Sequence, residues 1–133
     1  MSQLFSRLGI LPYFNADALK SCARINESCV KAAFKCEEEA SISGRRADLK
    51  CGDIYVEVEP LNRLECGLGQ VLLWRLSGVE ASLFLFGEEA YGFVDILRAL
   101  AATYSLDIYY FDVINKFLCK VDRHGDNICV FIG

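Results

Sequence analysis

The sequence predicts one α/β domain with a central mixed β-sheet flanked by helices. Three observations lead there. Helical and period-two apolar patterns alternate along the chain instead of separating into blocks. The 133 residues amount to one domain's length. Hydrophobic residues at 53% against charged residues at 24%, with 2 Pro and no Ser- or Pro-rich linker, describe a chain that buries its own core.

Each element has its own signal. Residues 16–36 carry Leu19, Cys22, Ile25, Cys29, Val30, Ala33 and Phe34 at roughly helical spacing, with Asn15 as N-cap and Pro12 upstream, so one helix is expected. Residues 36–44, including Glu37-Glu38-Glu39, read as a polar connection. Residues 45–60 alternate strictly and predict a β-hairpin that turns at Gly52-Asp53 and ends at Pro60. Residues 62–77 predict a second helix, where Gly67 and Gly69 imply close packing or backbone approach. Residues 81–86 are almost wholly apolar, as a strand covered on both faces would be. Residues 88–104 predict a third helix with acids at its start. Residues 106–113 predict a strand, and 117–121 with 127–132 a terminal hairpin.

Composition narrows the function. No apolar run approaches the ~18 residues of a membrane span. The opening residues 1–7 lack the pattern of a signal peptide. Net charge is −4, with 14 basic against 18 acidic residues, so a nucleic-acid role must rest on a local patch or on metal ions bridging acid to phosphate. The seven cysteines, at 22, 29, 36, 51, 66, 119 and 129, contain no Cys-x2-Cys pair. Cys22, Cys29 and Cys36 would share one face of the first helix, and free thiols packed in a core are the expected state. The odd count speaks against a fully paired secreted framework, so a cytoplasmic location is expected; disulfides would suit a hyperthermophile.

The hairpin carries the chemistry. With Gly52 first in a type II′ turn, Cys51 faces Ile54, Lys50 faces Tyr55, Asp48 faces Glu57 and Arg46 faces Glu59. Ala47, Leu49, Cys51, Ile54, Val56 and Val58 then form the core face, and Arg46, Asp48, Lys50, Tyr55, Glu57 and Glu59 the other. Opposed carboxylates repel across a ladder. A hard divalent cation such as Mg²⁺ removes that conflict by taking carboxylate oxygens as ligands. The alternative is a solvated polar face balanced by Arg46 and Lys50.

These residues resemble the core of the PD-(D/E)XK nuclease superfamily. Its motif is an Asp at the end of one strand and Asp/Glu-x-Lys on the next. Here Arg46-Ala-Asp48 precedes Ile54-Tyr-Val-Glu57-Val-Glu59. Glu27, on the predicted first helix, lies 21 residues before Asp48 and resembles the metal-associated Glu of family members. Gln70-Val-Leu-Leu-Trp74 resembles the Gln-x-x-x-Tyr element of RecB-like and archaeal members, with Trp for Tyr. The resemblance spans about residues 20–113 and departs at Glu59, which stands where the family has Lys.

The resemblance implies a restriction-endonuclease-like core in α-β-β-β-α-β order, with residues 81–86 counted as the third strand, plus one further helix and the terminal hairpin. It implies a Mg²⁺- or Mn²⁺-dependent deoxyribonuclease, acting as an endonuclease or on junctions. Glu27, Asp48 and Glu57 would hold the metal, with the Val58 carbonyl as a further ligand. Glu59 would act as base, and Gln70 would orient Glu59, water or phosphate. Lys50, or else Arg46, Arg63 or Arg75, would replace the missing lysine's charge. DNA is the implied partner, together with a second copy of the chain in a homodimer; a membrane is not. A small, cysteine-rich version of this type suits an archaeon or one of its viruses, which places it in the host cytoplasm. Two other readings stay open: a catalytically inactive nuclease-fold module for binding or assembly, and an unrelated α/β interaction protein.

The remaining features read as structural. His124 is expected in a surface turn, and a single histidine removes most triad chemistry. Gly67-x-Gly69 follows no strand and is not a dinucleotide fingerprint. Trp74, Tyr109, Tyr110 and Phe111 are expected in the core.

Overall fold

The computed structural model describes residues 9–42 and 44–132, so residues 1–7, read above for a signal peptide, lie outside the described residues, as does Ser43 of the polar connection. The strands are β1 (Glu37–Glu38), β2 (Ser41–Ile42), β3 (Arg45–Arg46), β4 (Leu49–Cys51), β5 (Ile54–Pro60), β6 (Ala81–Gly87), β7 (Ile108–Asp112), β8 (Phe117–Val121) and β9 (Asn127–Phe131). The α-helices are α1 (Glu27–Ala32), α2 (Leu64–Leu76) and α3 (Val94–Tyr104).

One sheet of seven strands runs β1-β4-β5-β6-β7-β8-β9, and β2 pairs with β3 in a separate ladder. The pairs β5–β6 and β6–β7 are parallel and the others antiparallel, so the sheet is mixed, as expected. Each parallel connection carries a helix, α2 then α3, because parallel neighbours need a crossover longer than a turn. Both faces are covered. Val56, Val58, Phe84, Phe86, Tyr109 and Phe111 pack against the N-terminal segment and Val30 of α1. Tyr55, Leu83, Leu85, Ile108 and Tyr110 pack under Val71 and Trp74 of α2 and Leu97 of α3. Double coverage explains the unbroken apolar run of β6, and Tyr109, Tyr110 and Phe111 are core as expected.

The single helix over residues 16–36 is corrected. A 3-10 helix, Ala16–Ser21, is capped by Asn15, whose side chain accepts from Asp17 N. The chain then breaks, and Asn26 starts α1 by accepting from Cys29 N. Folding back lets Asn15 N donate to the Ala33 carbonyl and Lys35 N to that of Tyr13. An unbroken helix could not make those long-range bonds.

The polar connection also contains an unexpected strand. Glu37 pairs with Lys50 and Glu38 with Leu49, so β1 forms the sheet's edge. The hairpin is therefore flanked on both sides, by β1 on β4 and by the segment at 81–86 (β6) on β5, and β1 is the strand that precedes it in the chain.

The cysteines differ most from expectation. Cys22–Cys29, Cys36–Cys51 and Cys119–Cys129 are disulfide-bonded, and exposed Cys66 is left free. Strand register accounts for two pairs: continuing β1–β4 puts Cys36 opposite Cys51, and β8–β9 pairs Cys119 with Cys129. Cys22 and Cys29 meet because the break at 24–26 folds their two segments together. No helix among the described residues is long and apolar enough to cross a membrane.

Candidate active site

The hairpin turns where the alternation places it. Cys51 pairs with Ile54, Lys50 with Tyr55 and Leu49 with Val56. Gly52 has φ +61° and Asp53 has no positive φ, the combination that a type II′ turn requires of its first position. Glu57 and Glu59 project on the Tyr55 side of β5, toward α2.

The register breaks one residue before β4. Continued regularly, it would place Ala47 opposite Val58. Instead Ala47 N donates to the Ala40 carbonyl and Ala47 joins the core under α2, not the Leu49 face expected for it. Arg46 pairs with Ser41 and reaches Glu39 at 3.4 Å, so it does not face Glu59. Asp48 fills the gap. Its Oδ2 accepts from Val58 N at 2.8 Å, replacing the lost ladder bond, and its Oδ1 lies 3.8 Å from Lys31 Nζ of α1. Past this point no strand among the described residues pairs with that edge of β5, and side chains from both layers meet there.

Glu57 is buried at 5% exposure. Its Oε1 accepts from Trp74 Nε1 at 2.7 Å. Burial pushes its carboxyl up to about 8; the Trp74 N–H opposes the shift, and Asp48 adds to it through charge and by accepting a hydrogen bond from the protonated acid. Glu57 thus keeps its proton well above the usual acid range.

Glu59 is raised as well, by burial first and then by the charges of Glu27 and Asp48, with Arg63 and Lys31 pulling the other way. Its Oε2 is buried with no hydrogen-bond partner among the described residues, and the nearest guanidinium, Arg63 Nε, stands 3.8 Å off. The helix above is held close. A Cβ on Gly67 would lie 2.8 Å from Glu59 Cγ and 2.5 Å from Leu83 Cδ1, so the backbone approach expected at Gly67 is real, while Gly69 has open space.

Glu27, Asp48, Glu57 and Glu59 are therefore electrostatically coupled around one strand edge. The other expected residues lie apart. Gln70 is exposed and its Oε1 accepts from Arg45, whose guanidinium stacks 4.3 Å over the Trp74 ring. Lys50 sits 5.8 Å over the Tyr55 ring and forms no ion pair with the carboxylates among the described residues. Arg75 donates to the Tyr104 carbonyl. Of the cations Lys50, Arg46, Arg63 and Arg75, only Arg63 pairs with one of these four carboxylates among the described residues, namely Glu59.

Lys31 was missed. It is four residues after Glu27, a spacing that puts both side chains on one face of a helix, and that was the available signal. Trp74 is core as expected, and its indole N–H also makes the hydrogen bond that holds Glu57. His124 is in an exposed turn, its N–H donating to Asp122 Oδ1, as expected.

Among the described residues, no group of three or more His, Cys, Asp or Glu side chains converges as a metal cage would. The chemistry of the carboxylates nonetheless suits a hard cation: the donors are oxygens, and one of them is buried without a hydrogen bond. Comparison of the chain with family models, curated proteins and solved structures finds no match.

Proposed function

We propose that the chain is a metal-dependent nuclease that hydrolyses phosphodiester bonds in DNA. The observation that carries this reading is the meeting of Asp48, Glu57 and Glu59 with Glu27 and Lys31 where β4 leaves β5. A purely structural edge would have no use for four acids gathered together, two of them with carboxyls raised by burial and by their neighbours' charge. The order α1, β1, β4, β5, α2, β6 also suits a restriction-endonuclease-like core.

In this reading Asp48, Glu57 and Glu27 hold Mg²⁺ or Mn²⁺, with the Val58 carbonyl beside them. Such an ion supplies positive charge at a phosphoryl oxygen and lowers the pKa of a bound water. The chain's own groups do the rest. Val58 N–H and Lys31 orient the Asp48 carboxylate. Trp74 holds the Glu57 carboxyl through its indole N–H, and Glu57 would have to be ionised to serve as a ligand. Glu59, with its carboxyl already raised, takes a proton from the attacking water. Lys31 takes over the cationic role first assigned to Lys50, facing the charge that builds on the phosphate. Gln70 acts indirectly, by holding Arg45 against Trp74.

The disulfides suit an oxidising compartment or the interior of a hyperthermophile, and the second keeps DNA within reach. A homodimer belongs to the proposal: β9 is a sheet edge without charge or Pro, and Phe131 (70% exposed) leaves it apolar.

The test is Mn²⁺ titration by calorimetry beside a DNA cleavage assay. Wild type should bind Mn²⁺ and cut. Asp48→Ala and Glu57→Ala should lose both properties, and Lys31→Met should lose cutting while still binding the ion. Wild-type protein that does neither would end this reading. Glu59 in place of the motif lysine favours a second one, a non-catalytic module; nucleic-acid binding with no cleavage in either metal would select it.

A further inference from the structure

A cleft of about 800 Å³ opens at the carboxyl ends of the parallel strands, floored by Pro60 at the end of β5, Phe86 and Gly87 of β6, and Val113 after β7. Ligands of α/β sheets bind at this end of the strands, and the volume is within the range that takes a small molecule. Its lining is mixed: Ile25, Phe93 (43% exposed) and Ile96 (52% exposed) are apolar, and Glu65 and Glu88 bring two carboxylates.

The cleft adjoins the carboxylate edge along the chain. Pro60 directly follows Glu59, and Ile25 stands two residues before Glu27. One polar group on its wall stands out. Every other arginine among the described residues pairs with a carboxylate, a carbonyl or an amide oxygen; Arg24 does not. An exposed arginine without a partner among the described residues, lining the same cleft as Phe93, leaves its guanidinium available to a phosphate. Asn62 and Glu65 supply hydrogen-bonding groups for a base edge.

We infer that this cleft receives one unstacked nucleobase of the substrate, with its flanking phosphate on Arg24 and its ring against Phe93. The inference rests on the nuclease reading and narrows it. A base inside a duplex is stacked and cannot enter, so the substrate is single-stranded, or duplex with an unpaired nucleotide at the cut. Base–aromatic stacking tolerates any base, so little sequence preference follows.

The experiment is fluorescence anisotropy on the whole protein without divalent metal, using a labelled single-stranded oligonucleotide, the same strand with abasic sites, and the matching duplex. Cleavage in Mn²⁺ is assayed in parallel. Wild type should bind the intact strand about tenfold or more tighter than the abasic strand. Phe93→Ala should abolish that difference. Arg24→Gln should weaken both strands alike and flatten the salt dependence. Both side chains are substantially exposed, and the abasic comparison needs no variant at all. Equal binding of intact and abasic strands, with cleavage still present, would overturn the base cleft and leave the nuclease reading standing. Base-dependent binding without cleavage in either metal would keep the cleft and overturn the catalytic reading. Absence of both would overturn both.

Discussion

Two buried carboxylates titrate in opposite directions in this molecule. Asp112, at the end of β7, has no exposed surface. Its Oδ1 accepts from Ile114 N at 3.1 Å and Asn115 N at 2.8 Å, and its Oδ2 from Tyr91 N at 2.8 Å and Asn115 Nδ2 at 3.0 Å. Burial would raise this acid, but those N–H groups outweigh it and hold the carboxyl below its ordinary value. Glu57 is almost equally buried, accepts one indole N–H, and has acids for neighbours; its carboxyl rises to about 8. The comparison shows that burial does not by itself set the charge of an acid. The number of donors aimed at it does. Asp112 is a clamp between β7 and two turns, while Glu57, with one donor and acidic neighbours, keeps its proton.

The largest effect should come from breaking the clamp. Asp112→Asn turns an amide donor toward N–H donors, and should cost about 3 kcal/mol in urea unfolding. A loss under 1 kcal/mol would mean that the donors find other partners.

Trp74→Phe attacks the other side of the comparison. It removes Glu57's hydrogen bond and part of a packed ring, at a cost of about 2 kcal/mol, and moves the carboxyl still higher. Backbone-resolved NMR titration of Glu57 would show the second effect; an unchanged midpoint would refute it.

The pH dependence follows from the signs. Asp112 is lowered, so its contribution is present above the unfolded value of about 3.9 and is lost as pH falls through the lower folded one. Glu57 is raised from 4.5 to about 8, so its contribution is whole below 4.5 and drains away as pH climbs toward 8. Metal-free protein should therefore lose stability over that upper range. Glu57→Gln should flatten the decline and exceed wild type by about 1 kcal/mol at pH 8.5, while the acid-side loss from Asp112 remains. A wild-type profile flat from pH 5 to 8 would show that Glu57 is ionised without penalty.

The smallest change in stability should be Lys31→Met, a few tenths of a kcal/mol, since the Asp48 contact is long and partly solvated. Its sharper consequence is electrostatic. With Lys31 gone, Glu59 loses one of the charges that lower it and should titrate higher still. An unmoved Glu59 would exclude Lys31 from the cluster.

Much of the site was legible in the residue order. The strict alternation of Ile54 to Glu59 puts two acids on one face, and Gly52 marks the turn that sets their register, because period two and positive φ are local properties. The apolar run of β6 announced a strand covered on both sides. Gly67 announced a close approach, since only a missing Cβ leaves room for Glu59 beneath α2.

What the residue order by itself determined, then, was which side chains share a face. What only the tertiary structure decided was which faces meet. Alternation carries no sign of where a strand leaves its ladder, so Asp48's swing onto Val58 N and Ala47's move to the other layer were invisible. Helical spacing across residues 16–36 hid a break that lets Cys22 find Cys29 and aims Lys31 at Asp48. Gln70 met Arg45 from 25 residues away, not the acid it was expected to serve. Periodicity reports the local screw of the backbone. Pairings between charges on different elements depend on how those elements pack, and that is settled by the whole core.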